Sequence, residues 1–241
     1  MTAMSNRTVD WTALRTPATE RLDVLSLRER KKRLMRQQLS DTATEMFMER
    51  GFDAVRVIEV AEACGVSEKT VYNYFPTKEA LVLDRWETTM DSLQSGLANL
   101  NESPVQCALR ILTDELRALT SWLAAQDDPD TSCAQFLRFG TLMNSTPALR
   151  AYQHEVTDQL IAASAEVLAR RIGMATDDPE PLITATAILG LWSVQFQSLR
   201  RHLNSERAPE RIQRAVTNDV ERAAQLIDTG LHSLELAGRP K

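Results

Sequence analysis

Three groups of side chains in this sequence could do chemistry. The first is a run of cations, Arg28-Glu29-Arg30-Lys31-Lys32-Arg33-Leu34-Met35-Arg36, with six basic residues against one acidic. Clustered Lys and Arg gain affinity for a polyphosphate by displacing its counterions. Without such a partner the same run is a solvated helix face or tail. Arg30, Lys31, Lys32 and Arg33 are its candidate phosphate contacts. The second is Ser67-Glu68-Lys69-Thr70-Val71-Tyr72-Asn73-Tyr74, dense in hydroxyl and amide groups. A short helix with so polar an outer face has the character needed to enter a major groove. The third group is negative evidence. His154, His202 and His232 lie far apart, and Cys64, Cys107 and Cys133 lack the spacing of metal ligands. Neither a glycine-rich phosphate loop nor a nucleophile elbow is present. The expectation is a protein that is not an enzyme and carries no metal or other cofactor.

These groups need elements to hold them. Leu39, Ala43, Met46 and Phe47 recur at helical spacing, and Gly51 suits the end of that helix. A short helix follows over Val57–Cys64, interrupted by Gly65-Val66-Ser67. Ser67 is a suitable N-cap for a second short helix, Glu68 to Tyr74. Two short helices joined by a tight glycine turn are a helix-turn-helix candidate. Val66, Val71 and Phe75 would lock the second helix onto the first, leaving its polar side outward; the same pattern also suits any capped surface helix. Pro76-Thr77 breaks the chain, and a helix capped by Thr77 is expected from Lys78 to about Leu100. Further helices are predicted over 104–126, 131–145, 148–172, 180–203 and 209–237, with turn clusters at 127–130 and 177–179. No alternating strand pattern occurs, so the fold class is all-α.

The chain of 241 residues has a net charge of −5, which does not by itself suggest nucleic acid. The charge is unevenly spread. Residues 28–85 carry 11 basic and 10 acidic residues, whereas the remainder carries 17 and 23. Its longest apolar run, Ile183–Trp192, is half the ~20 residues of a membrane span. No apolar stretch follows the N-terminus, and three scattered cysteines suit a reducing compartment. A cytoplasmic protein is expected.

The segment Ala61-Glu62-Ala63-Cys64-Gly65-Val66-Ser67-Glu68-Lys69-Thr70-Val71-Tyr72-Asn73-Tyr74-Phe75-Pro76-Thr77-Lys78-Glu79-Ala80-Leu81 resembles the DNA-binding region of the TetR (tetracycline-repressor) family. Upstream, Arg36, Leu39, Ala43, Phe47, Gly51 and Phe52 resemble that family's first helix, so the likeness covers roughly residues 33–82. Residues 1–27 lack helical periodicity and are expected to be a flexible arm; the resemblance implies a three-helix DNA-binding domain over 28–80 and a helical ligand-binding and dimerisation domain over 81–241. It implies a homodimer on a palindromic double-stranded operator, acting as a repressor released by an unknown small-molecule effector. The alternative is an activator, or a metal- or redox-responsive regulator of the same fold. By the same resemblance Tyr72 and Lys78 contact phosphates, while Ser67, Lys69, Thr70 and Asn73 project from the recognition helix. Tyr74 is a base or sugar contact, or packing. Where the family has hydroxyl residues before its second helix, this chain has Val55 and Arg56. Arg56 either meets a phosphate by charge or points to solvent.

The stretch 181–203 is apolar nearly all round, which means burial on several sides. The last helix repeats apolar residues in a seam that suits either core packing or an interface. The resemblance makes this pair the dimer contact, with Ile188, Trp192, Val220, Ile227 and Leu231 as its candidates. An effector pocket is expected between central helices. Its candidate lining is Trp86, Trp122, Phe136, Arg138, Phe139, Met143, Tyr152, Trp192 and Phe196, with Arg138 as the group that could orient an anion.

Overall fold

Proline sets most of the helix starts. It lacks the N–H that the first helical turn leaves unpaired in any case, and its φ is already helical. In the computed structural model, which describes residues 26–83 and 86–237, five helices begin on proline. These are α5 (Pro104–Ala124), α6 (Pro129–Ser145), α7 (Pro147–Ile172), α8 (Pro179–Leu203) and α9 (Pro209–Ala237). Before them come α1 (Leu27–Arg50), α2 (Val57–Ala63), α3 (Glu68–Tyr74), a single 3₁₀ turn (Glu79–Leu81) and α4 (Trp86–Leu97). Among the described residues there is no strand, and the all-α expectation holds. The expected arm over 1–27 lies, up to residue 25, outside the described residues.

The helix expected from Lys78 to Leu100 is instead two pieces. Lys78 precedes the 3₁₀ turn, and α4 is α-helical only from Trp86. Thr77 does cap as expected, its hydroxyl accepting from the Ala80 N–H at 3.2 Å.

Chain contacts define two units, one of residues up to 84 with 125–153, the other of 85–124 with 154 onward. The core of the first unit joins Leu39, Ala43 and Phe47 of α1 to Val57, Val60 and Ala61 of α2 and to Val71 and Phe75. Met143 and Leu149 belong to the same core, and Phe139 and Tyr152 pack against it. Arg138 donates to the Met48 carbonyl at 3.0 Å, near the end of α1. The amphipathic face of α6 is thus spent on the three-helix core.

In the second unit α8 packs on α9 and α5, and α4 packs on α5. Gly96 permits that last contact, because a Cβ there would lie 2.2 Å from Cys107 Sγ. The Arg171 guanidinium donates to the carbonyls of Leu97, Asn99 and Glu102, fastening the α4–α5 connection to the end of α7. Trp192 Nε1 and Thr89 Oγ1 both donate to the Glu115 carboxylate, at 3.0 and 2.8 Å. By length and composition α8 could cross a membrane, yet Ala185, Ile188, Leu189 and Leu191 are buried inside the chain.

Two sequence expectations change. The nine pocket candidates are divided between the units: Phe136, Arg138, Phe139, Met143 and Tyr152 fall in the first, Trp122, Trp192 and Phe196 in the second. Large apolar side chains at helical spacing mark core as readily as cavity, and Phe136, Met143 and Trp122 are core. Trp86 opens α4 in the second unit, and its side chain is outside the described set. Of the dimer candidates, Ile188 and Val220 are 1% and 3% exposed within one chain, so they have no surface to offer a second one. Trp192 and Ile227 are half-buried, and the Leu231 side chain is outside the described set. Among the described residues, the exposed large apolar side chains on these helices are Leu182, Ile183 and Leu226.

Candidate nucleic-acid interface

The turn between α2 and α3 follows from one glycine. Gly65 has φ of +68°, a conformation that costs glycine nothing and other residues strain. With that backbone, the Gly65 N–H reaches the Glu62 carbonyl at 3.1 Å and the Val66 N–H the Ala61 carbonyl at 3.0 Å. These two bonds close a Schellman motif and satisfy carbonyls that the helix end leaves bare. Ser67 then starts α3. Its hydroxyl accepts from the Thr70 N–H at 3.2 Å and shares a hydrogen bond with the Thr70 hydroxyl at 2.8 Å.

The inward side of α3 is Val71, buried beside Phe75, with Tyr74 half-buried against the same core. Lys69, Tyr72 and Asn73 are exposed. Their spacing of three and four residues puts them on one face of the helix. The structure brings together, therefore, the cation, the phenol and the amide named from sequence. Of the alternatives left open for Tyr74, it favours packing. Glu68 stands in the first turn, where a carboxylate is favoured by the exposed N–H groups.

Glu59 replaces the hydroxyl cap that Val55 and Arg56 cannot supply. Val55 is fully buried and serves the core. The Glu59 carboxylate accepts from the Arg56 main-chain N–H at 2.8 Å and from Arg50 at 2.7 Å. These bonds, the main-chain one foremost, hold its pKa down to about 2. The Arg56 side chain is 78% exposed, with its Nε 3.5 Å from the Glu59 carboxylate. A glutamate three residues after the cap is the acidic half of a capping box, a signal visible in the sequence at Arg56-Val57-Ile58-Glu59.

The cationic run forms the opening turns of α1. Ser26 and Glu29 form a full capping box, with Ser26 N–H donating to Glu29 at 3.0 Å and the Ser26 hydroxyl accepting from Glu29 N–H at 3.3 Å. Arg28, Arg30, Lys31, Lys32 and Arg33 are exposed. Cations at a helix N-terminus oppose its dipole, so this placement costs stability and suits an external anion.

Lys78, a phosphate contact by the resemblance, is half-buried. Its ammonium donates to the Phe52 carbonyl and sits over the rings of Phe52 and Phe47, 4.2 and 5.4 Å from their centres. Partial burial pushes its pKa down. A lysine so placed braces the core of the first unit. Arg36 was grouped with the basic run, and its half-buried position beside Phe75 was not legible from charge alone.

Residues 39–84 match the family model of the tetR bacterial regulatory proteins, and residues 114–232 that of the MftR C-terminal domain. The chain is 30% identical over 153 residues to MftR of Mycobacterium tuberculosis, a transcriptional regulator named for mycofactocin biosynthesis; the match spans 64% of this chain and 73% of that protein. It is 28% identical over 174 residues to the transcriptional activator FasR of Mycolicibacterium smegmatis, spanning 71% and 74% of the two chains. Among solved structures it is similar to native NalD of Pseudomonas aeruginosa, with 19% identity, a TM-score of 0.48, and coverage of 79% and 96%.

Proposed function

The chain belongs to the TetR family of transcriptional regulators, and from that premise we propose that it is a repressor. It occupies a palindromic operator as a homodimer and leaves it when a small molecule binds the larger unit. The observation that carries this reading is the outward face of α3, where Lys69, Tyr72 and Asn73 stand clear of the core on a helix capped at its start by Ser67. Lys69 reads guanine and Asn73 adenine, the Tyr72 hydroxyl meets a phosphate, and Ser67 and Thr70 lie at the end that enters the groove. Arg30, Lys31, Lys32, Arg33 and Arg56 supply charge that binds the backbone of any sequence. Lys78 is left out of this set, because its ammonium is occupied by Phe52.

Exposed apolar residues support the dimer. Leu182 and Ile183 on α8 and Leu226 on α9 are 52%, 58% and 78% exposed, and a Cβ at Gly190 would meet only open space. This surface replaces Ile188 and Val220 as the seat of a second copy. Two copies present two recognition helices, so half-sites fall about one helical turn apart, ~34–36 Å, or a multiple of it. The working place of such a protein is the cytoplasm, where its DNA is.

Selection from a library of randomised duplexes, using the full chain, tests the reading. Enrichment of a pseudo-palindrome supports it. Recovery of no preferred sequence, or of one asymmetric half-site bound by a monomer, overturns it.

A further inference from the structure

We propose that Arg36 is a positioning residue for sequence recognition: it fixes the orientation of α3 and makes no contact with DNA. The proposal rests on the reading of α3 as the recognition helix.

Helix α3 has only seven residues, two turns, too few to hold a direction by its own hydrogen bonds. At its C-terminal end the Val71 carbonyl is taken by the Phe75 N–H at 2.9 Å. Arg36 donates to the carbonyl of Tyr74, the last residue of α3, from Nη1 at 3.0 Å. The same guanidinium lies 4.7 Å from the centre of the Phe75 ring, and Phe75 is fully buried. One side chain thereby does two things at the end of α3. It gives a charge-assisted bond to a helix-terminal carbonyl, where the dipole favours a cation. It also lies over the ring of the residue that anchors the helix to the core. Arg36 is half-buried, whereas the basic residues before it in α1 are exposed. The basic run is thus divided between an outward group that adds charge and an inward residue that aims the reader. One turn further along α1, the Ser40 hydroxyl donates to the Leu81 carbonyl at 2.7 Å. The same face of α1 therefore holds both α3 and the turn that follows it.

Lysine has the charge but neither the planar fork nor the stacking surface of arginine, so Arg36→Lys separates the two roles. The experiment measures binding of full-length wild type, Arg36→Lys and Arg36→Gln to a duplex selected by the wild type and to a scrambled duplex of equal length, over a range of salt. Thermal melts of the same proteins accompany it. The expected result is about a tenfold loss on the selected duplex for both variants, the scale of one lost hydrogen bond to a charged group. Affinity for the scrambled duplex and the salt slope stay unchanged. The proposal is overturned if Arg36→Lys binds as wild type while Arg36→Gln loses about one unit of salt slope on both duplexes, the signature of a phosphate contact. It is also overturned if both variants bind as wild type, or if both lose equally on the two duplexes with a lowered melting temperature, which marks a general scaffold. Failure of the wild type itself to prefer the selected duplex defeats the reading of α3 before Arg36 enters, and the proposal with it.

Discussion

Lys78 holds its ammonium 4.2 Å from the centre of the Phe52 ring and donates to the carbonyl of that same residue. Phe52 packs in turn against Phe47, with ring centres 4.9 Å apart and planes tilted by 56°. A cation facing two aromatic rings and a carbonyl is tied to the core by attraction to the ring faces as well as by a hydrogen bond. The sequence motif places a lysine at this point. Its direction depends on Phe47 and Phe52, which lie before both α2 and α3 in the chain.

Lys78→Ala should therefore lower stability toward denaturant by about 1–2 kcal/mol, the sum expected of a partly shielded cation–π contact and its hydrogen bond. The slope of DNA affinity against salt should not change. A slope reduced by about one unit with stability intact would return Lys78 to the phosphate contacts.

Glu59 makes the acid response of the first unit specific. Its pKa is about 2 against an ordinary value of 4.5, chiefly because the Arg56 N–H binds the ionised carboxylate. The folded state keeps it charged where the unfolded chain takes up a proton. Its contribution is complete above about pH 4.5 and is lost as pH falls toward about 2. Glu59→Gln should flatten that part of the stability profile in acid titrations of the full chain. Equal acid sensitivity of wild type and variant would show that the cap carries no such linkage.

Gly96 and Cys107 should behave as a coupled pair. A methyl at Gly96 lands 2.2 Å from Cys107 Sγ and 3.1 Å from an Arg110 nitrogen, so α4 and α5 must separate. Gly96→Ala should destabilise the chain by about 1–3 kcal/mol, the usual cost of overpacking. Cys107→Ala removes the opposing sulfur, and adding it to Gly96→Ala should recover part of the loss. Strict additivity in equilibrium unfolding would mean that the helices have slack the structure does not show.

The surface of α8 and α9 predicts assembly. Ile183→Glu combined with Leu226→Glu should give monomers in sedimentation with unchanged helix content, since both side chains are exposed in one chain. A double variant that stays dimeric would place the interface elsewhere.

These positions also show what local patterns can and cannot tell. Helix starts were legible to within two residues, although Pro129 and Pro179, expected in turn clusters, themselves open α6 and α8. The reading face of α3 was legible because Ser67, Gly65 and Val71 fix it within ten residues. Met143 and Tyr152, taken as pocket lining, pack on the core of α1–α3, and that pairing links residues a hundred positions apart. Periodicity announces that such a side chain is covered, not by what. Ile188 and Val220, expected at an interface, are buried within one chain, and periodicity could not tell the two apart for the same reason. The break before α4 was hidden because Lys78–Leu83 has no residue that forbids a helix, and its 3₁₀ turn is held from outside by Ser40 on the Leu81 carbonyl.

The central claim is that the exposed face of α3 reads base pairs. It is tested most directly by measuring Lys69→Ala and Asn73→Ala on the selected operator and on each of its single-base variants. Each substitution should cost about 1–3 kcal/mol on the operator and erase the preference at a particular base pair in each half-site, leaving the other positions as discriminating as before. If both proteins keep the wild-type preference at every base pair, α3 is not the element that reads DNA.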